Sequence, residues 1–315
     1  MAFKIITVGL APTWDVTYQF NDGLHWGDHA EVSVKFQTPG GKSFNVSLAL
    51  NAMGIPSKAS GLWGKDDLSQ LKNYVKKKCP MISLHMLGVV GGTRENITVV
   101  DQKNTRELHL RNQNDLLSKA ALAHLQTKCL QYSKRNSIMV FGGSMREHRY
   151  FTTIDKLFKQ SAHGGAKLVL DTSGPALPYH VKKGHIWLVK PNLAELSELV
   201  GFDVPDNQAA IIAAASSMLD KVPYLLVSRG VRGVIFVSRD EIFKAKYSGK
   251  PLNIKTTVGA GDYLLAGFLG AYARTGDLSM SIVHAIRVAT MRCIGCANDL
   301  KARQLQKIDI KISKV

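Results

Sequence analysis

Cysteine is scarce in this chain, with four residues among 315. Cys79, Cys129, Cys293 and Cys296 are too few and too scattered for a disulfide scaffold. The last two form a Cys-x-x-Cys pair, but a zinc site needs a second ligand pair at comparable spacing, and the sequence has none. Because the pair falls within a helical pattern, we expect two buried thiols on one face of a helix.

Long apolar runs are also missing, since no stretch approaches the roughly 20 residues that span a bilayer. The amino-terminal residues enter a strand-like segment directly, with no charged region ahead of an apolar core. This pattern predicts no signal peptide, and a cytoplasmic location is the expectation that follows. With 45% hydrophobic and 21% charged residues, the composition is typical of a globular protein with one large α/β domain or two ordinary ones.

Acidic residues are few: Asp and Glu number 24 against 41 Lys and Arg, for a net charge of +17. Such a charge suits either a nucleic-acid-binding protein or an enzyme that acts on anionic substrates. The basic residues are spread along the chain, and they do not alternate with aromatic residues as in RNA-binding segments. Nucleic acid is therefore the less favoured partner, and the charge alone does not establish an anionic substrate.

Short apolar strands alternate with amphipathic helices along most of the chain. This alternation predicts a mainly parallel sheet covered by helices on both faces, with a ligand at the carboxyl ends of the strands. The predicted strands are 3–8, 83–90, 137–141, 167–171, 186–189, 224–227 and 234–237, and the predicted helices are 44–53, 68–77, 116–132, 154–161 and 209–219.

Two segments, 13–37 and 96–111, interrupt this rhythm with the polar–apolar alternation of half-exposed strands. We predict that they form a small β-sheet lid over the site, where it would exclude water. Residues 1–12, 38–95 and 112–315 would then form the α/β core. Because unpaired strand edges can pair between subunits, the lid is also a candidate homodimer interface.

The segment Gly259-Ala260-Gly261-Asp262 stands where a helix is predicted to begin. Small residues let backbone N–H groups approach an anion closely, and a helix N-terminus favours negative charge. A phosphoryl group in transfer is such an anion, and Asp262 could accept a proton from the attacking hydroxyl beside it. The alternative is a tight turn followed by an ordinary Asp helix cap.

A second glycine-rich segment, Gly40-Gly41-Lys42-Ser43, opens another predicted helix. It imitates the end of a P-loop, but that motif needs glycine where this chain has Phe36, so the P-loop interpretation fails. What remains is a double glycine that admits a ligand to the helix N-terminus. Asn45, one turn further, can both donate to and accept from sugar hydroxyls. A plain turn with a helix cap is the alternative.

Together these two segments resemble the two signatures of the ribokinase-like (phosphofructokinase-B type) carbohydrate kinases. The most similar branch is that of the bacterial 1-phosphofructokinases and tagatose-6-phosphate kinases. The resemblance implies a three-layer α/β/α sandwich with a mainly parallel sheet, and an enzyme that uses ATP and Mg²⁺. Further matches follow in the family's order along nearly the whole chain: Ala11-Pro12-Thr13-Trp14-Asp15, Thr93-Arg94-Glu95-Asn96, Gly143-Ser144, Asp171-Thr172-Ser173-Gly174, Lys190-Pro191-Asn192-Leu193-Ala194-Glu195-Leu196 and Ser228-Arg229-Gly230-Val231-Arg232-Gly233.

The resemblance also implies a role for each matched residue. Asp262 would be the catalytic base, and Glu195 would hold hydrated Mg²⁺ through water. The amides of the transferred-phosphoryl site would belong to Gly259, Ala260 and Gly261. The acceptor would meet Asp15, Gly40, Gly41, Lys42, Asn45, Arg94 and Ser144, with Arg94 and Lys42 on its phosphate. The nucleotide would meet Asn192, Ser228, Gly230 and Gly233.

The chain departs from the branch in its substrate half. Ala11 stands in place of the usual Asn, Ser43 in place of a glycine, and Met145 where prolines are expected. Near Ala30 and Glu31 the branch has a basic residue that could meet the sugar phosphate. The leading hypothesis is therefore an ATP-dependent kinase of a phosphorylated ketohexose. A kinase of an unphosphorylated sugar or nucleoside and a non-catalytic sugar or nucleotide sensor are the alternatives.

Overall fold

The computed structural model describes residues 3–112 and 116–315, which form two β-sheets and a set of α-helices. The strands, in chain order, are β1 (Lys4–Gly9), β2 (Thr13–Phe20), β3 (Val34–Gly40), β4 (Ser57–Gly64), β5 (Ile82–Val89), β6 (Glu95–Asp101), β7 (Arg106–Arg111), β8 (Ser137–Gly142), β9 (Lys167–Asp171), β10 (Leu188–Val189), β11 (Tyr224–Ser228), β12 (Val234–Val237), β13 (Ile242–Tyr247) and β14 (Ile310–Lys314). The helices are α1 (Lys42–Ala52), α2 (Leu68–Lys78), α3 (Lys119–Tyr132), α4 (Phe151–His163), α5 (Ala176–Val181), α6 (Leu193–Val200), α7 (Gln208–Ser216), α8 (Ala260–Thr275), α9 (Leu278–Cys293) and α10 (Ala302–Leu305).

The large sheet has the strand order β14-β13-β12-β11-β10-β9-β8-β1-β4-β5. Neighbouring strands are parallel from β11 through to β5, and the three pairings beyond β11 are antiparallel. Central strands such as β8 are buried along their whole length, as parallel strands covered on both faces must be. The carboxyl ends of the parallel strands therefore lie along one edge, where the predicted site residues gather.

Helices cover both faces of this sheet and create a three-layer sandwich. On one face, buried side chains of α3 to α7 pack on the sheet, among them Leu125, Ile154 and Leu196. On the other face, α1, α8 and α9 do the same, through residues such as Leu50 and Phe268. The predicted mainly parallel α/β/α architecture is confirmed.

The small sheet has the order β3-β2-β6-β7 and is fastened to the core by aromatic packing. The indole rings of Trp14 in β2 and Trp63 in β4 meet edge to face, with centroids 5.2 Å apart. Both indole N–H groups donate to Oδ2 of Asp67, and the Trp63 bond measures 2.8 Å. The small sheet was predicted from 13–37 and 96–111, but β3 continues to Gly40 and β6 begins at Glu95.

Three local predictions were wrong or incomplete. Helix α3 begins at Lys119 with Ser118 as its cap, so the predicted start at 116 is too early, and residues 113–115 lie outside the described part. The two thiols of the Cys-x-x-Cys pair are not buried as predicted: Cys293 ends α9 and is half-buried, and Cys296 lies beyond the helix, after Gly295 with its φ of 82°, and is exposed. Strands β4, β13 and β14 were not predicted. In the part of the chain that the structure describes, no helix is long and apolar enough to cross a membrane.

Candidate active site

The first turn of α8 forms a pocket of backbone amides. Gly259 caps the helix in the left-handed conformation, with a φ of 77° that glycine adopts at little cost. Amides in the first turn of a helix have no intrahelical acceptor, which leaves those of Gly261 and Asp262 able to bind a ligand. The Ala260 amide differs, because it donates to the carbonyl of Thr257 at 3.2 Å. Of the three predicted amides, that of Ala260 is therefore engaged within the chain.

The Asp262 carboxylate is held by the helix that follows the double glycine. Nδ2 of Asn45 donates to Oδ2 of Asp262 over 2.7 Å. Gly41, with a φ of 93°, caps α1 and turns the chain so that Asn45 comes one turn later; the Asn45 amide donates to the Gly41 carbonyl. The structure thus brings together the two segments that the sequence singled out separately.

Asp262 is only 7% exposed, and this burial changes the pKa of its carboxyl group. Burial, together with the negative charge of Asp171, raises the pKa of Asp262 to about 7. The bond from Asn45 and the charges of Lys190 and Lys42 oppose this rise. A carboxylate whose pKa lies near neutrality is suited to accept a proton from a hydroxyl and later release it.

Two lysines and two carboxylates lie beside Asp262. Nζ of Lys42 donates to Oδ1 of Asp171 at 2.9 Å and lies 3.6 Å from Oε1 of Glu195. Nζ of Lys190 lies 3.6 Å from the same Asp171 oxygen. A Cβ placed on Gly261 would lie 3.1 Å from Nζ of Lys190, so this ammonium group borders the amide pocket. The two ammonium groups balance the two carboxylates, and the ammonium group of Lys190 is the member of the cluster that borders the amide pocket.

The opposite charges in this cluster keep one another ionised despite burial. Burial opposes ionisation of both Asp171 and Lys42, but the opposite charges outweigh it, so the pKa of Asp171 is lowered and that of Lys42 is raised. Oδ2 of Asp171 is buried without a hydrogen-bond partner, which is a costly arrangement in a protein interior. Asp171 and Lys190 were not predicted as site residues, although both lie within matched motifs and both are charged residues next to buried strands.

Asn192 and Glu195 form a capping box at the start of α6. The Asn192 side chain accepts from the Glu195 amide, and Oε2 of Glu195 accepts from the Asn192 amide, both at 2.9 Å. Asn192 is thus the N-cap of α6, and Glu195 is only 8% exposed, so its carboxylate does not lie on a solvated helix surface. A parallel bridge also pairs Asn192 with Ser228, so this turn is fixed to the end of β11.

Glu195 fits an indirect magnesium role better than a direct one. Its Oε2 is occupied by a backbone amide, and its Oε1 faces the ammonium group of Lys42. Within residues 3–112 and 116–315, no group of three or more His, Cys, Asp and Glu side chains could hold a metal ion. Mg²⁺ keeps several of its waters and commonly binds through one or two carboxylates and substrate phosphates, which this arrangement accommodates.

Backbone contacts hold the predicted nucleotide loop, residues 228–233, against neighbouring segments. The Ser228 amide donates to the carbonyl of Pro191 at 2.9 Å, which holds the loop beside the turn before α6. A Cβ on Gly233 would overlap the carbonyl of Ala245 in β13, so chain packing alone requires glycine there. Gly230 has a φ of 56° and open space around its α-carbon, which leaves backbone accessible to a ligand.

Among the predicted acceptor residues, Asp15 lies on β2 of the small sheet and contacts its neighbours there. Nδ2 of Asn96 donates to Oδ1 of Asp15 at 3.0 Å, and a Cβ on Gly40 would overlap the Asp15 carboxylate. Burial raises the pKa of Asp15, while the Asn96 bond and the charge of Arg94 oppose the rise. Asp15 is therefore seated between the double glycine and a neighbouring strand.

Two other predicted acceptor residues make contacts within the chain. Nε of Arg94 donates to the carbonyl of Pro12 at 3.2 Å, and its Nη2 lies 3.5 Å from the Ala11 carbonyl. Ser144, in the loop after β8, accepts a 3.0 Å hydrogen bond from Nε of Arg146. Both side chains lie near the carboxyl ends of β1 and β8, on the same edge of the sheet as Asp262.

Arg292, in the last turn of α9, was not predicted. Its Nε donates to the carbonyl of Val258 at 3.0 Å, and its guanidinium lies 5.3 Å from the ring centroid of Tyr263. Its charge also opposes the rise in the pKa of Asp15 that burial causes. No sequence signal marked it, because it lies on a separate helix some thirty residues after the glycine segment and becomes its neighbour only on folding.

Known proteins resemble this chain over most of its length. The model of the pfkB family carbohydrate kinases matches residues 8–301. The 1-phosphofructokinase of Xanthomonas campestris is 28% identical over 294 residues, which cover 92% of this chain and 90% of that protein. The 1-phosphofructokinase of Haemophilus influenzae is 25% identical over 287 residues, with 91% and 90% covered.

The fold has close structural relatives as well. The crystal structure of phosphofructokinase-2 from Escherichia coli in complex with fructose-6-phosphate superposes with a TM-score of 0.87, at 21% identity, and 97% of this chain and 98% of that chain are covered. At that identity the likeness supports the fold alone, and it confirms the predicted ribokinase-like architecture. On the evidence of the matched family model, this chain belongs to the pfkB family of carbohydrate kinases, which are phosphotransferases.

Proposed function

We propose that this chain is an ATP-dependent kinase that transfers the γ-phosphoryl group of ATP to a hydroxyl of a phosphorylated ketohexose, as a 1-phosphofructokinase does. The observation that carries the proposal is the position of Asp262: a buried carboxylate with a pKa of about 7, beside first-turn amides and held by Asn45. The relatives named 1-phosphofructokinase support the substrate class.

Asp262 is the proposed general base. The acceptor hydroxyl would lie between Asp262 and Asn45, and its proton would pass to the carboxylate as its oxygen bonds to the γ-phosphorus. The bond from that phosphorus to the oxygen of the ADP leaving group breaks in the same transfer. Desolvation favours the protonated carboxyl, so the buried position supplies part of the driving force for accepting the proton.

The surrounding groups would stabilise the negative charge of the transferred phosphoryl group. The amides of Gly259, Gly261 and Asp262 lie at the positive end of α8, and Lys190 borders them. The Ala260 amide could contribute only if it left the Thr257 carbonyl. Bound Mg²⁺, reached through water from Glu195, would neutralise charge on the phosphate oxygens.

The nucleotide would lie across the turn before α6 and the loop after β11. Asn192 and Ser228 hold these two segments together, and the open backbone at Gly230 would face the ligand. Gly233 would act indirectly, because its glycine keeps the loop packed against β13.

On the acceptor side, Asp15 and Asn45 would orient the sugar, with Gly40 and Gly41 leaving room for it. Arg94 would bind the phosphate of the acceptor through its guanidinium fork, and Lys42 and Ser144 would lie near the sugar. Arg292 adds a cation that could contact the same ligand. The small sheet would act as the lid, and pairing through its edge strands, β3 and β7, would give a homodimer. A cytoplasmic location is part of this proposal.

One observation favours a second candidate, a kinase of an unphosphorylated sugar or nucleoside. Arg94 already donates to the carbonyls of Pro12 and Ala11, so its guanidinium is partly engaged within the chain. In addition, Ala30 and Glu31 stand where the branch has a basic residue. Both features would weaken recognition of a phosphate on the acceptor.

A screen of ATP consumption distinguishes these candidates. The acceptors are fructose 1-phosphate, fructose 6-phosphate, tagatose 6-phosphate, ribose and a set of nucleosides. We expect one of the sugar phosphates to give the highest kcat/KM, and Arg94→Ala to raise its KM at least roughly tenfold, the loss of one charge-assisted contact. A preference for ribose or a nucleoside, unaffected by Arg94→Ala, supports the second candidate. No ATP consumption with any acceptor contradicts both.

A further inference from the structure

A second pocket lies at the opposite end of the α8–α9 pair from Asp262. It has a volume of about 230 Å³ and is formed where α8 ends and α9 begins. From Asp262 to Arg274 the helix advances roughly 18 Å, at 1.5 Å per residue, so this pocket is separate from the candidate active site. Its lining includes Ala271, Arg274, Met280, Val283, His284 and Arg287.

Two arginines in this pocket are held in place by backbone carbonyls. Nε of Arg274 donates to the carbonyl of Gly270 at 3.2 Å, and Nε of Arg287 donates to the carbonyl of Ile308 at 3.1 Å. These bonds fix each guanidinium group and leave its terminal nitrogens to bind something else. Among the described residues, neither arginine has an Asp or Glu oxygen within ion-pair distance.

Asp277, the acidic residue between α8 and α9, caps a helix and does not pair with either arginine. Oδ1 of Asp277 accepts from the Met280 amide at 2.8 Å and from the Ser279 hydroxyl at 2.9 Å, which makes it the cap of α9. The helix dipole accounts for Arg274 in the last turn of α8. It does not account for Arg287, which lies in the interior of α9. Arg287 therefore has neither a paired carboxylate among the described residues nor a helix C-terminus to explain its charge.

His284 lies in the same pocket, and the positive charges of the two arginines affect its pKa. Its Nε2 is buried without a hydrogen-bond partner. Burial, together with the charges of Arg274 and Arg287, lowers the pKa of His284 to about 4. The ring is thus neutral at pH 7, and the two positively charged guanidinium groups that line the same pocket repel each other. An anion between them would remove this repulsion and form charge-assisted hydrogen bonds with both guanidinium groups.

We propose that this pocket binds a small organic phosphate, with its phosphate group between Arg274 and Arg287. Guanidinium groups present paired N–H donors that match phosphate oxygens. The apolar side chains of Ala271, Met280 and Val283 would contact the carbon skeleton. Drug-sized ligands occupy pockets of about 300–1,000 Å³, so the smaller volume selects a compact ligand of a few carbons. This proposal is independent of the proposed function.

Methyl NMR of Met280 tests the proposal locally. Protein carrying ¹³C in its methionine methyl groups is titrated with inorganic phosphate and with glycerol 3-phosphate, and Met280→Leu identifies the Met280 signal. We expect a saturable shift of that signal with both probes. In Arg274→Gln and in Arg287→Gln, the dissociation constant should rise at least roughly tenfold, as expected for one lost charge-assisted contact.

Arg239→Gln is the matched control, because Arg239 is an exposed arginine that pairs with Asp220 and does not line the pocket; it should leave the titration unchanged. Thermal unfolding of each variant verifies that it is folded. The Arg274→Gln/Arg287→Gln double variant separates local binding from effects transmitted along α8 and α9. A Met280 signal that does not respond to either probe, or that responds equally in the double variant, overturns the proposal.

Discussion

The side-chain amide of Asn45 donates a 2.7 Å hydrogen bond to Oδ2 of Asp262, which joins the first turns of two helices that are 217 residues apart. The bond fixes one oxygen of the carboxylate. It also opposes the rise in pKa that burial causes. The position and the basicity of the proposed base are therefore controlled by the same contact.

The activity of the wild-type enzyme should depend on deprotonated Asp262. Because its pKa is about 7, kcat should fall as the pH decreases through 7. In Asn45→Ala the hydrogen bond is lost, so the pKa of Asp262 should rise. The acidic limb of the pH–rate profile should then move to higher pH by roughly one unit, in addition to any fall in rate. The same acceptor is used for both enzymes, which cancels the titration of the substrate.

Asn51→Ala is the matched control for this experiment. Asn51 lies on the same helix and its Oδ1 accepts from the Met81 amide, so the substitution also removes one hydrogen bond. It should leave the acidic limb in place. An unchanged limb in Asn45→Ala would mean that Asp262 is not the group whose protonation controls the rate.

Asp171→Asn should shift the profile in the opposite direction. The charge of Asp171 raises the pKa of Asp262, so its removal should move the acidic limb to lower pH. It also leaves the buried Lys190 without its carboxylate, and breaking such a pair costs about 3 kcal/mol of unfolding free energy. Urea unfolding and pH–rate profiles measure the two effects. An acidic limb that moves to higher pH would contradict the inference that the charge of Asp171 raises the pKa of Asp262.

Gly40→Ala should selectively impair acceptor binding. The added Cβ would overlap the Asp15 carboxylate and displace it from Asn96. We expect KM for the acceptor to rise at least roughly tenfold while KM for ATP stays within a factor of two. Gly9→Ala is the control, because Gly9 lies in β1 without a positive φ and a Cβ there would make only ordinary contacts at 3.9 Å. An equal rise in both KM values would indicate general damage to the fold.

Asp262→Asn should stabilise the protein at high pH. The carboxyl is protonated in the folded state up to a pH of about 7 but only up to 3.8 when unfolded, so folding loses stability as the pH rises through this interval. Asparagine avoids that loss. The unfolding free energy of Asp262→Asn should exceed that of the wild type by on the order of 2–4 kcal/mol at pH 8, and the difference should vanish near pH 4. An equal or lower stability at pH 8 would contradict a raised pKa.

The fold was predictable because apolar strands and amphipathic helices alternate so regularly. Strand β4 escaped prediction because Ser-Lys-Ala-Ser-Gly-Leu-Trp-Gly contains small and polar residues in place of a β-branched run, although β4 lies between β1 and β5 in the sheet. Its composition reflects close packing: a Cβ on Gly61 would overlap the backbone of Gly9. Such constraints come from neighbouring strands and are invisible along the chain.

The site was predictable where its residues share a short motif. Asp262 and Asn45 were identified from two glycine segments, but their hydrogen bond depends on how α1 and α8 pack. Lys190 and Arg292 were missed for the same reason, since each meets the amide pocket only in three dimensions. The engagement of the Ala260 amide with Thr257 likewise depends on local backbone geometry that residue types do not specify.

The most direct test of the account is the turnover of Asp262→Asn with ATP and the preferred acceptor, at a pH where the wild type is fully active. The side chain keeps its shape and can still bond to Asn45, and the unfolding measurements above verify the fold. We predict that kcat falls at least ~100-fold, the lower range for loss of a positioned base, while KM for ATP changes little. A folded variant that retains kcat within a few-fold of the wild type would contradict the role of Asp262 as the catalytic base.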